Sequence, residues 1–255
     1  MSSLNVFSLI LAIGTSFGLL WIIAAAPVVQ RVRWLLAAWG TLILALIGSR
    51  TGFVLEHLQY FGSHTSEIFQ FWLGGLTWEG ALAGGLIALP LIAKIYQWPI
   101  RLVSDTLSRL VLPLSVAGWV ACWWSGLGYG VPLADGTWWG LAVHDETGLV
   151  SLRTPVQPLA ILSLIVFLGV LELGLNRSEK PGIRGAATLL IFSADMLLLS
   201  FMRADPAPAW LGLRFESWLA MVYTLLGLLG TIIYLIKNSF FLWLQRLKRQ
   251  ESKPL

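Results

Sequence analysis

Three ionisable residues lie at the ends of long apolar segments, where charged side chains are rare and often functional: Arg50, Glu79 and Arg203. An arginine can direct two N–H donors at one phosphate, so two arginines and a carboxylate suit a lipid headgroup. The alternative is that each side chain extends independently toward the membrane surface. Because all three fall on one predicted face of the membrane, we favour a shared polar pocket.

Residues 112–140 concentrate glycine and tryptophan. The glycines let backbone or ligand approach closely, and the tryptophans suit the membrane–water boundary. These residues are Gly118, Trp119, Trp123, Trp124, Gly126, Gly128, Gly130, Trp138 and Trp139. Glycines that break a helix at membrane depth are tolerated where the freed backbone is buried or lines a cavity. Two interpretations stay open: the wall of an intramembrane cavity, or a glycine-rich helix end with an aromatic belt.

The composition indicates an integral membrane protein. The 255 residues are 57% hydrophobic and 12% charged, and the mean hydropathy is +0.77, which soluble domains do not reach. The single cysteine, Cys122, excludes an intrachain disulfide and a cysteine-based metal cluster. The net charge of +4 comes without a basic–aromatic surface motif, so nucleic acid is not expected as a partner.

Seven apolar segments are each close to the ~20 residues that cross a bilayer. They span residues 6–29, 34–55, 79–95, 102–124, 156–175, 183–202 and 218–243. The chain shows no linker and no sustained repeat. We therefore predict an all-α fold, a bundle of seven transmembrane helices. Residues 1–245 form a single domain and residues 246–255 a basic tail.

The distribution of basic residues predicts the orientation. One set of connections and the tail carry most of them: Arg31, Arg33, Lys94, Arg101, Arg177, Lys180, Arg184, Arg246, Lys248, Arg249 and Lys253. The opposite connections are rich in acidic residues: Glu56, Glu67, Asp135, Asp145, Glu146, Asp205 and Glu216. The positive-inside rule then places the N-terminus outside and the C-terminus in the cytoplasm.

Other ionisable residues inside the segments favour structural roles. Asp105 and Arg109 are four residues apart on one helix face, which predicts an internal ion pair. Glu172 lies near the cytoplasmic end of its segment, where it either extends to the surface or meets a basic loop residue. Asp195 is in the middle of the sixth segment, and we expect a protonated or paired carboxyl facing the bundle.

The ordered motifs resemble the bacterial prolipoprotein diacylglyceryl transferase family over most of the chain. Residues 48–53 (Gly-Ser-Arg-Thr-Gly-Phe) are similar to the family's Gly-Gly-Arg-Ile-Gly-Tyr. Residues 74–82 (Gly-Gly-Leu-Thr-Trp-Glu-Gly-Ala-Leu) resemble its Gly-Gly-Met-Ser-Phe-His-Gly-Gly-Leu. Further similarities follow at residues 103–105 (Val-Ser-Asp), 117–118 (Ala-Gly), 129–140 (Tyr-Gly to Trp-Gly) and 201–205 (Phe-Met-Arg-Ala-Asp).

The resemblance implies a seven-span enzyme of the bacterial inner membrane that moves diacylglyceryl from phosphatidylglycerol to a prolipoprotein cysteine. It implies no cofactor and no metal. It makes Arg203 a candidate catalytic residue and Glu79, at the family's histidine, a candidate base. The residues that it implies for substrate binding are Arg50, Gly118, Trp119, Tyr129 and Gly130.

The chain departs from the family where the chemistry is carried out. The signature Gly-Arg-Leu-Gly-Asn-Phe-Ile-Asn-Gly-Glu falls on residues 118–127, with Trp119 for the arginine, Cys122 and Ser125 for the asparagines, and Leu127 for the glutamate. Cys122 between tryptophans is typical of an inert apolar residue rather than a nucleophile.

Three functions are compatible with this pattern. We favour a catalytically impaired or silent relative that binds phospholipid, with a signal helix or a membrane protein as a further partner. The alternative is a divergent active transferase. A small transporter is a third interpretation, which the lack of internal symmetry disfavours.

Overall fold

The computed structural model describes residues 3–175 and 182–251. Within them the chain forms nine α-helices: α1 Ser3–Ala25, α2 Arg31–Glu56, α3 Leu58–Ser63, α4 Trp78–Tyr96, α5 Ile100–Leu107, α6 Val111–Trp124, α7 Val156–Leu175, α8 Ile183–Ser200 and α9 Phe215–Glu251. Single turns of 3-10 helix occur at Val28–Gln30, Thr65–Phe69, Phe71–Leu73 and Ser108–Leu110. The basic loop residues Arg177 and Lys180, and the tail residue Lys253, lie outside the described residues.

Seven helical segments are long and apolar enough to cross a membrane, among the residues that are described: Val6–Ala25, Val28–Glu56, Trp78–Tyr96, Ile100–Trp124, Val156–Leu175, Ile183–Ser200 and Phe215–Ile236. The predicted seven-span helical fold is therefore confirmed. The fourth span consists of α5 and α6, joined through the 3-10 turn. Helix α9 continues unbroken past residue 245, so the boundary between domain and tail stays a prediction, as does the orientation.

Two short β-hairpins, which the sequence did not predict, lie at one end of the bundle. Strands β1 (Leu141–His144) and β2 (Val150–Arg153) pair antiparallel, with Leu141 opposite Arg153. Strands β3 (Ala209–Trp210) and β4 (Leu213–Arg214) pair in the same way. With seven alternating spans, both hairpins and the 57–77 connection occur at the same end, which we call the hairpin end.

Close backbone contact holds α2 against α4. A Cβ atom added to Gly84 would lie 2.1 Å from the carbonyl oxygen of Leu44, and one added to Gly48 would lie 2.4 Å from that of Gly80. Only glycine permits this approach, the usual device for packing membrane helices. It fixes Arg50 on α2 relative to Glu79 on α4.

A buried cluster joins α6, α7 and α8. Trp119 from α6 packs with Val156, Ala160, Leu164 and Leu168 from α7 and with Phe192, Met196 and Leu199 from α8. Glycines do not dominate this contact, and an added Cβ at Gly118 would meet no atom within 4 Å. Trp119 is therefore held by apolar packing at the hairpin end of the bundle.

The predicted ion pair between Asp105 and Arg109 is wrong. The Asp105 carboxylate accepts the backbone N–H groups of Gly182 and, at 2.8 Å, Gly185. These donors lie at the start of α8, where the first N–H groups of a helix have no partner of their own. Arg109, in the 3-10 turn at Ser108–Leu110, donates its Nη1 to the main-chain carbonyl of Asp105 at 3.4 Å, and its Nε lies 3.9 Å from Glu172.

Glu172 and Asp195 are the other two carboxyl groups that the sequence places inside the membrane segments. Glu172 meets a basic residue, Arg184, at 3.2 Å, as expected. Asp195 is 7% exposed and therefore faces the bundle, as expected. Whether Asp195 is protonated or paired stays a prediction.

Candidate functional site

The connections at the hairpin end interlace around Arg203. Gly130 and Arg203 form an antiparallel β-bridge. The N–H of Ala204 donates to the carbonyl of Tyr129 at 2.9 Å, and the N–H of Val131 donates to that of Met202 at 3.1 Å. The structure thus brings together three of the residues predicted for the site, Tyr129, Gly130 and Arg203.

Arg203 belongs to a closed cluster of four charges. Its Nε and Nη2 donate to the two carboxylate oxygens of Asp205 at 2.9 and 2.6 Å, and its Nη1 donates to Glu216 at 2.9 Å. Arg214 donates to Glu216 at 2.6 Å and to Asp205 at 3.1 Å. We call these four residues the ion quartet. Because it contains two guanidinium cations and two carboxylates, the quartet has no net charge.

The quartet is well shielded from water. Its side chains are between 11% and 16% exposed, so its charges interact in a medium of lower dielectric than bulk water. Burial by itself would raise the pKa of Asp205, but the hydrogen bonds and charges of Arg203 and Arg214 outweigh it and hold that pKa below its usual range. Burial would likewise lower the pKa of Arg203, yet Asp205 and Glu216 raise it. Both groups are charged at neutral pH.

We expect Asp205 to make the fold sensitive to acid. Because its folded-state pKa is depressed, the carboxylate stabilises the fold above its unfolded-state pKa, and this stabilisation is lost as the pH falls through the folded-state value. The Tm of the unaltered protein should fall with acid, and Asp205→Asn should remove part of that dependence. Thermal unfolding in detergent, from neutral pH into the acid range, measures this. The exposed Asp135→Asn is the control, and equal acid dependence of both variants would contradict the expectation.

Two tryptophans border the quartet. The Trp119 ring faces the Arg203 guanidinium, with 5.8 Å between the Arg203 Cζ atom and the ring centroid. Trp78 donates its Nε1–H to Glu216 at 3.1 Å. The predicted site residue Trp119 is therefore beside Arg203, and it contributes an aromatic face rather than a second cation. A ligand role for Gly118, one residue earlier, stays a prediction.

Arg50 is occupied by backbone rather than by another charge. It is 5% exposed and donates to the carbonyls of Ile68 at 2.9 Å, Gly74 at 2.6 Å, Gly75 and Glu67. A guanidinium has five N–H groups, so four of them are used to hold the 67–75 segment. One Nη2 N–H remains for a ligand.

A cavity of about 410 Å³ lies beside Arg50. It is lined by Arg50, Phe53, His57, Tyr60, Phe61, Glu67, Gly74 and Gly75. Glu79, Trp119 and Arg203 do not line it. The prediction that Arg50 and Arg203 share one pocket therefore stays a prediction, and the two arginines have different partners.

Arg50→Lys is expected to loosen the 67–75 segment. Lysine carries its donors on one tetrahedral nitrogen and lacks the planar fork, so it cannot serve four carbonyls spread over nine residues. The loss should be on the order of 3 kcal/mol of unfolding free energy, given that bonds to a charged donor contribute about 1.5–3 kcal/mol each. Hydrogen exchange of the 67–75 amides should accelerate. Arg33→Lys, at an exposed position, is the matched control; unchanged exchange in Arg50→Lys would contradict the assignment.

Glu79 lies in the first turn of α4 and is 3% exposed. The Glu56 carboxyl group at the end of α2 lies near that of Glu79. The main-chain carbonyl of Glu79 accepts the Tyr223 hydroxyl at 2.9 Å. Within the described part of the chain Glu79 forms no salt bridge with Arg50 or Arg203. Two neighbouring carboxyl groups can share one proton, so a role as base stays a prediction.

Arg214 and Glu216 were not identified as site residues from the sequence, although a signal was present. Arg203 and Asp205, and likewise Arg214 and Glu216, are opposite charges two residues apart in the sequence, although Glu216 already lies in the first turn of α9. Side chains at that spacing share one face of an extended chain. From two such pairs on either side of a turn, a cluster of four charges could have been predicted.

Arg153 is a second buried arginine that sequence reasoning missed. It is 7% exposed, donates to Asp145 at 3.1 Å, and its Cζ lies 4.3 Å from the centroid of the Tyr129 ring. Asp145 also accepts from Thr147 and Leu149 in the turn, and the hydrogen bond from the Thr147 hydroxyl is the main cause of a lowered pKa at this carboxyl. Arg153 therefore fixes the β1–β2 hairpin over Tyr129.

Comparison with known proteins gives a family match. A family model described as "Prolipoprotein diacylglyceryl transferase" matches residues 1–233. A protein of Symbiobacterium thermophilum is 28% identical over 184 residues, which cover 69% of this chain and 66% of that protein. One of Hydrogenovibrio crunogenus is 27% identical over 209 residues, covering 80% and 75%. One of Nitrobacter winogradskyi is 25% identical over 203 residues, covering 77% and 68%.

All three relatives are named phosphatidylglycerol–prolipoprotein diacylglyceryl transferase. The chain spans just under two thirds of the length of the Symbiobacterium protein. These names describe a lipid donor and a protein acceptor for the relatives.

Proposed function

The chain belongs to the prolipoprotein diacylglyceryl transferase family, and we propose that it is a catalytically silent member that binds phospholipid. It is a multi-pass protein of the bacterial inner membrane. Its ligand under this proposal is a phosphatidylglycerol-like phospholipid, and a signal helix or another membrane protein is the further partner. The hairpin end then faces the exterior, in line with the basic-loop distribution.

The observation that carries the proposal is the closed ion quartet. Transfer of diacylglyceryl from phosphatidylglycerol breaks a carbon–oxygen bond and leaves negative charge on a glycerol phosphate, which cations must stabilise. Here Arg203 directs three N–H groups at Asp205 and Glu216. The positive charge that a phosphate would need is thus already compensated by two carboxylates, and a phosphate that took their place would leave a carboxylate poorly solvated.

The replaced signature residues support the same conclusion. Trp119 stands where the family has its signature arginine, and it offers one N–H donor in place of a bidentate fork. Loss of a preorganised donor in such a site typically costs about 3–4 kcal/mol of transition-state stabilisation. Cys122 and Ser125 replace the asparagines. The chain therefore lacks several groups that bind the leaving phosphate.

Phospholipid binding is supported by the cavity beside Arg50. Its volume is about 410 Å³, and it combines aromatic walls with a remaining Arg50 N–H. His57 directs its Nδ1 at the Phe53 carbonyl, 2.9 Å away, which leaves its Nε2 for a ligand. A headgroup that contains phosphate and hydroxyl groups complements these donors and acceptors.

An assay of transfer tests the proposal. We expect the purified chain, in vesicles of phosphatidylglycerol, to transfer no diacylglyceryl to a synthetic lipobox peptide, while the Hydrogenovibrio crunogenus relative is the positive control. Mass spectrometry of lipids retained after detergent-free extraction should still detect bound phospholipid. Transfer above background would overturn the silent assignment, and absence of retained lipid would overturn the binding assignment.

The second candidate function is a divergent active transferase. The burial of Glu79, which is 3% exposed, favours it, because a buried carboxyl group at the family's histidine position can accept a proton from the thiol. In that case the assay above detects transfer, and Glu79→Gln abolishes it without changing lipid retention.

A further inference from the structure

The turn between β3 and β4 holds an apolar residue in a conformation that leucine rarely adopts. Leu211 and Gly212 form the two-residue turn, with φ of 50° and 80°. Turns of this kind need positive φ at both central residues and usually contain Asn-Gly or Asp-Gly. A bulky side chain with positive φ is an outlier in proteins. The fold therefore retains leucine at a position where backbone preference alone would select asparagine or glycine.

The side chains at this turn are also unusually exposed. Leu211 is 74% exposed and Trp210 is 58% exposed. In water, leucine at this position combines an unfavourable backbone conformation with unburied apolar area. Both disadvantages diminish if the tip lies in an apolar environment. Within the described chain, Trp210 and Leu211 at the tip of the hairpin stay mostly uncovered. An apolar environment for them must therefore come from outside the protein.

The position of the turn identifies that environment. Trp210 packs on Trp218 in the first turns of α9, with ring centroids 5.5 Å apart and planes at 61°, and accepts the Trp218 Nε1–H on its carbonyl at 3.0 Å. Trp218 begins a stripe of side chains spaced three or four residues apart along α9. Its exposed members are Val222, Leu225, Leu229, Ile232 and Ile236.

This stripe lies on the seventh membrane span, Phe215–Ile236, and its exposed apolar side chains face lipid. The turn thus extends a lipid-facing surface beyond the end of the helix. Leu211 is one residue, ~3.8 Å between Cα atoms, from Trp210. Tryptophan at the first turns of a membrane helix marks the headgroup level. The tip is therefore at the boundary between headgroups and acyl chains.

The base of the hairpin is held rigidly at the same time. Arg214 on β4 donates to the Asp205 carbonyl at 2.7 Å, and the Phe215 N–H donates to the Pro208 carbonyl at 2.8 Å. The ion quartet thus connects the base of the hairpin to the first turn of α9 and to Arg203 and Asp205 in the segment that follows α8. The tip cannot move away from the membrane level without disturbing these bonds.

We propose that Trp210 and Leu211 insert into the headgroup–acyl boundary of the bilayer that α9 crosses, so that the β3–β4 hairpin is a membrane-interface anchor. The bilayer lipids are its partner, recognised through apolar area rather than through a headgroup charge. The anchor sets the depth of Arg203 and Arg214 relative to the phosphates of the surrounding lipid. It operates whether or not a lipid binds beside Arg203 or Arg50.

A fluorescent label tests the depth of the tip. Cys122 is the single cysteine, so Cys122→Ala provides a background for Leu211→Cys labelled with an environment-sensitive dye. In phosphatidylcholine vesicles, we expect blue-shifted emission, strong quenching by lipids with a nitroxide near the start of the acyl chain, and several-fold weaker quenching by iodide than at a control site. The control is Glu146→Cys, an exposed charged position on the other hairpin.

Two outcomes would overturn the proposal. Emission and iodide quenching equal to those at Glu146→Cys would place the tip in water. Blue-shifted emission without quenching by nitroxide lipids would place it under protein, as expected for a partner protein or a second copy of the chain. Trp210→Cys, labelled in the same way, repeats the measurement if Leu211→Cys does not fold. Because no lipid needs to bind in the candidate site, failure of the proposed function leaves this test unaffected.

Discussion

Arg214→Ala is expected to lower the free energy of unfolding by on the order of 3 kcal/mol, because removing one partner of a buried ion pair leaves charge uncompensated. Arg214 contacts both Glu216 and Asp205, and without it two carboxylates share Arg203 alone. The quartet would change from neutral to a net negative charge at side chains that are at most 16% exposed. Thermal and denaturant unfolding in detergent measure the loss.

A double variant separates charge from packing. Arg214→Gln together with Glu216→Gln leaves the neutral pair of Arg203 with Asp205, and the amide oxygen introduced by Glu216→Gln can still accept the Trp78 N–H. We expect this variant to lose clearly less stability than the sum of its single variants, because the pair is coupled. Arg33→Ala, at an exposed position, is the matched control. If Arg214→Ala costs no more than Arg33→Ala, water screens the quartet and its role in holding Arg203 is wrong.

Most of the fold could be predicted because each helix must be long enough and apolar enough to cross the membrane. The predicted fifth segment, residues 156–175, coincides with α7, Val156–Leu175. The apolar pattern could not show the break between α5 and α6, since the 3-10 turn at Ser108–Leu110 lies inside the single segment predicted for residues 102–124. The prediction of an ion pair between Asp105 and Arg109 assumed a continuous helix, and it failed for that reason.

The site was less predictable, since it depends on pairing between distant connections. Strands of two to four residues are too short to show alternation of polar and apolar residues, so neither hairpin was predicted. The sequence predicted Arg203, Tyr129 and Gly130 individually as site residues. It could not show that a β-bridge between Gly130 and Arg203 brings them together. From the sequence, Arg50 was expected to direct two N–H donors at a lipid phosphate. The carbonyls of the 67–75 segment take most of its donors, and no sequence pattern indicates a main-chain acceptor.

Charge balance distinguishes this site from one that holds an anion. A phosphate site needs excess positive charge, and the quartet has none, because two arginines face two carboxylates. Trp119 lies against Arg203 at a position where a guanidinium would make the balance positive. The site is therefore neutral for two reasons: it contains two carboxylates, and residue 119 is tryptophan rather than arginine. Each of these features can be changed by substitution.

Trp119→Arg combined with Asp205→Asn is expected to raise retention of phosphatidylglycerol roughly tenfold to a hundredfold, the range that ~1.4–2.8 kcal/mol of new charged hydrogen bonds would give. The first change adds a guanidinium about where the ring now faces Arg203. The second frees the Arg203 fork that Asp205 occupies at 2.6 and 2.9 Å. Together they change the local charge by two units, which favours an anionic headgroup.

The ratio of phosphatidylglycerol to phosphatidylcholine retained from equimolar nanodiscs, measured by mass spectrometry, reports this preference. Trp119→Gln with Asp205→Asn is the matched control, because it removes the ring and the carboxylate without adding the cation at residue 119. We expect an intermediate ratio for the control and a lower Tm for both variants, since each disrupts the quartet. An unchanged ratio in a folded Trp119→Arg, Asp205→Asn protein would show that the quartet does not determine lipid charge preference. In that case Arg50 and its cavity would be the site that selects the lipid.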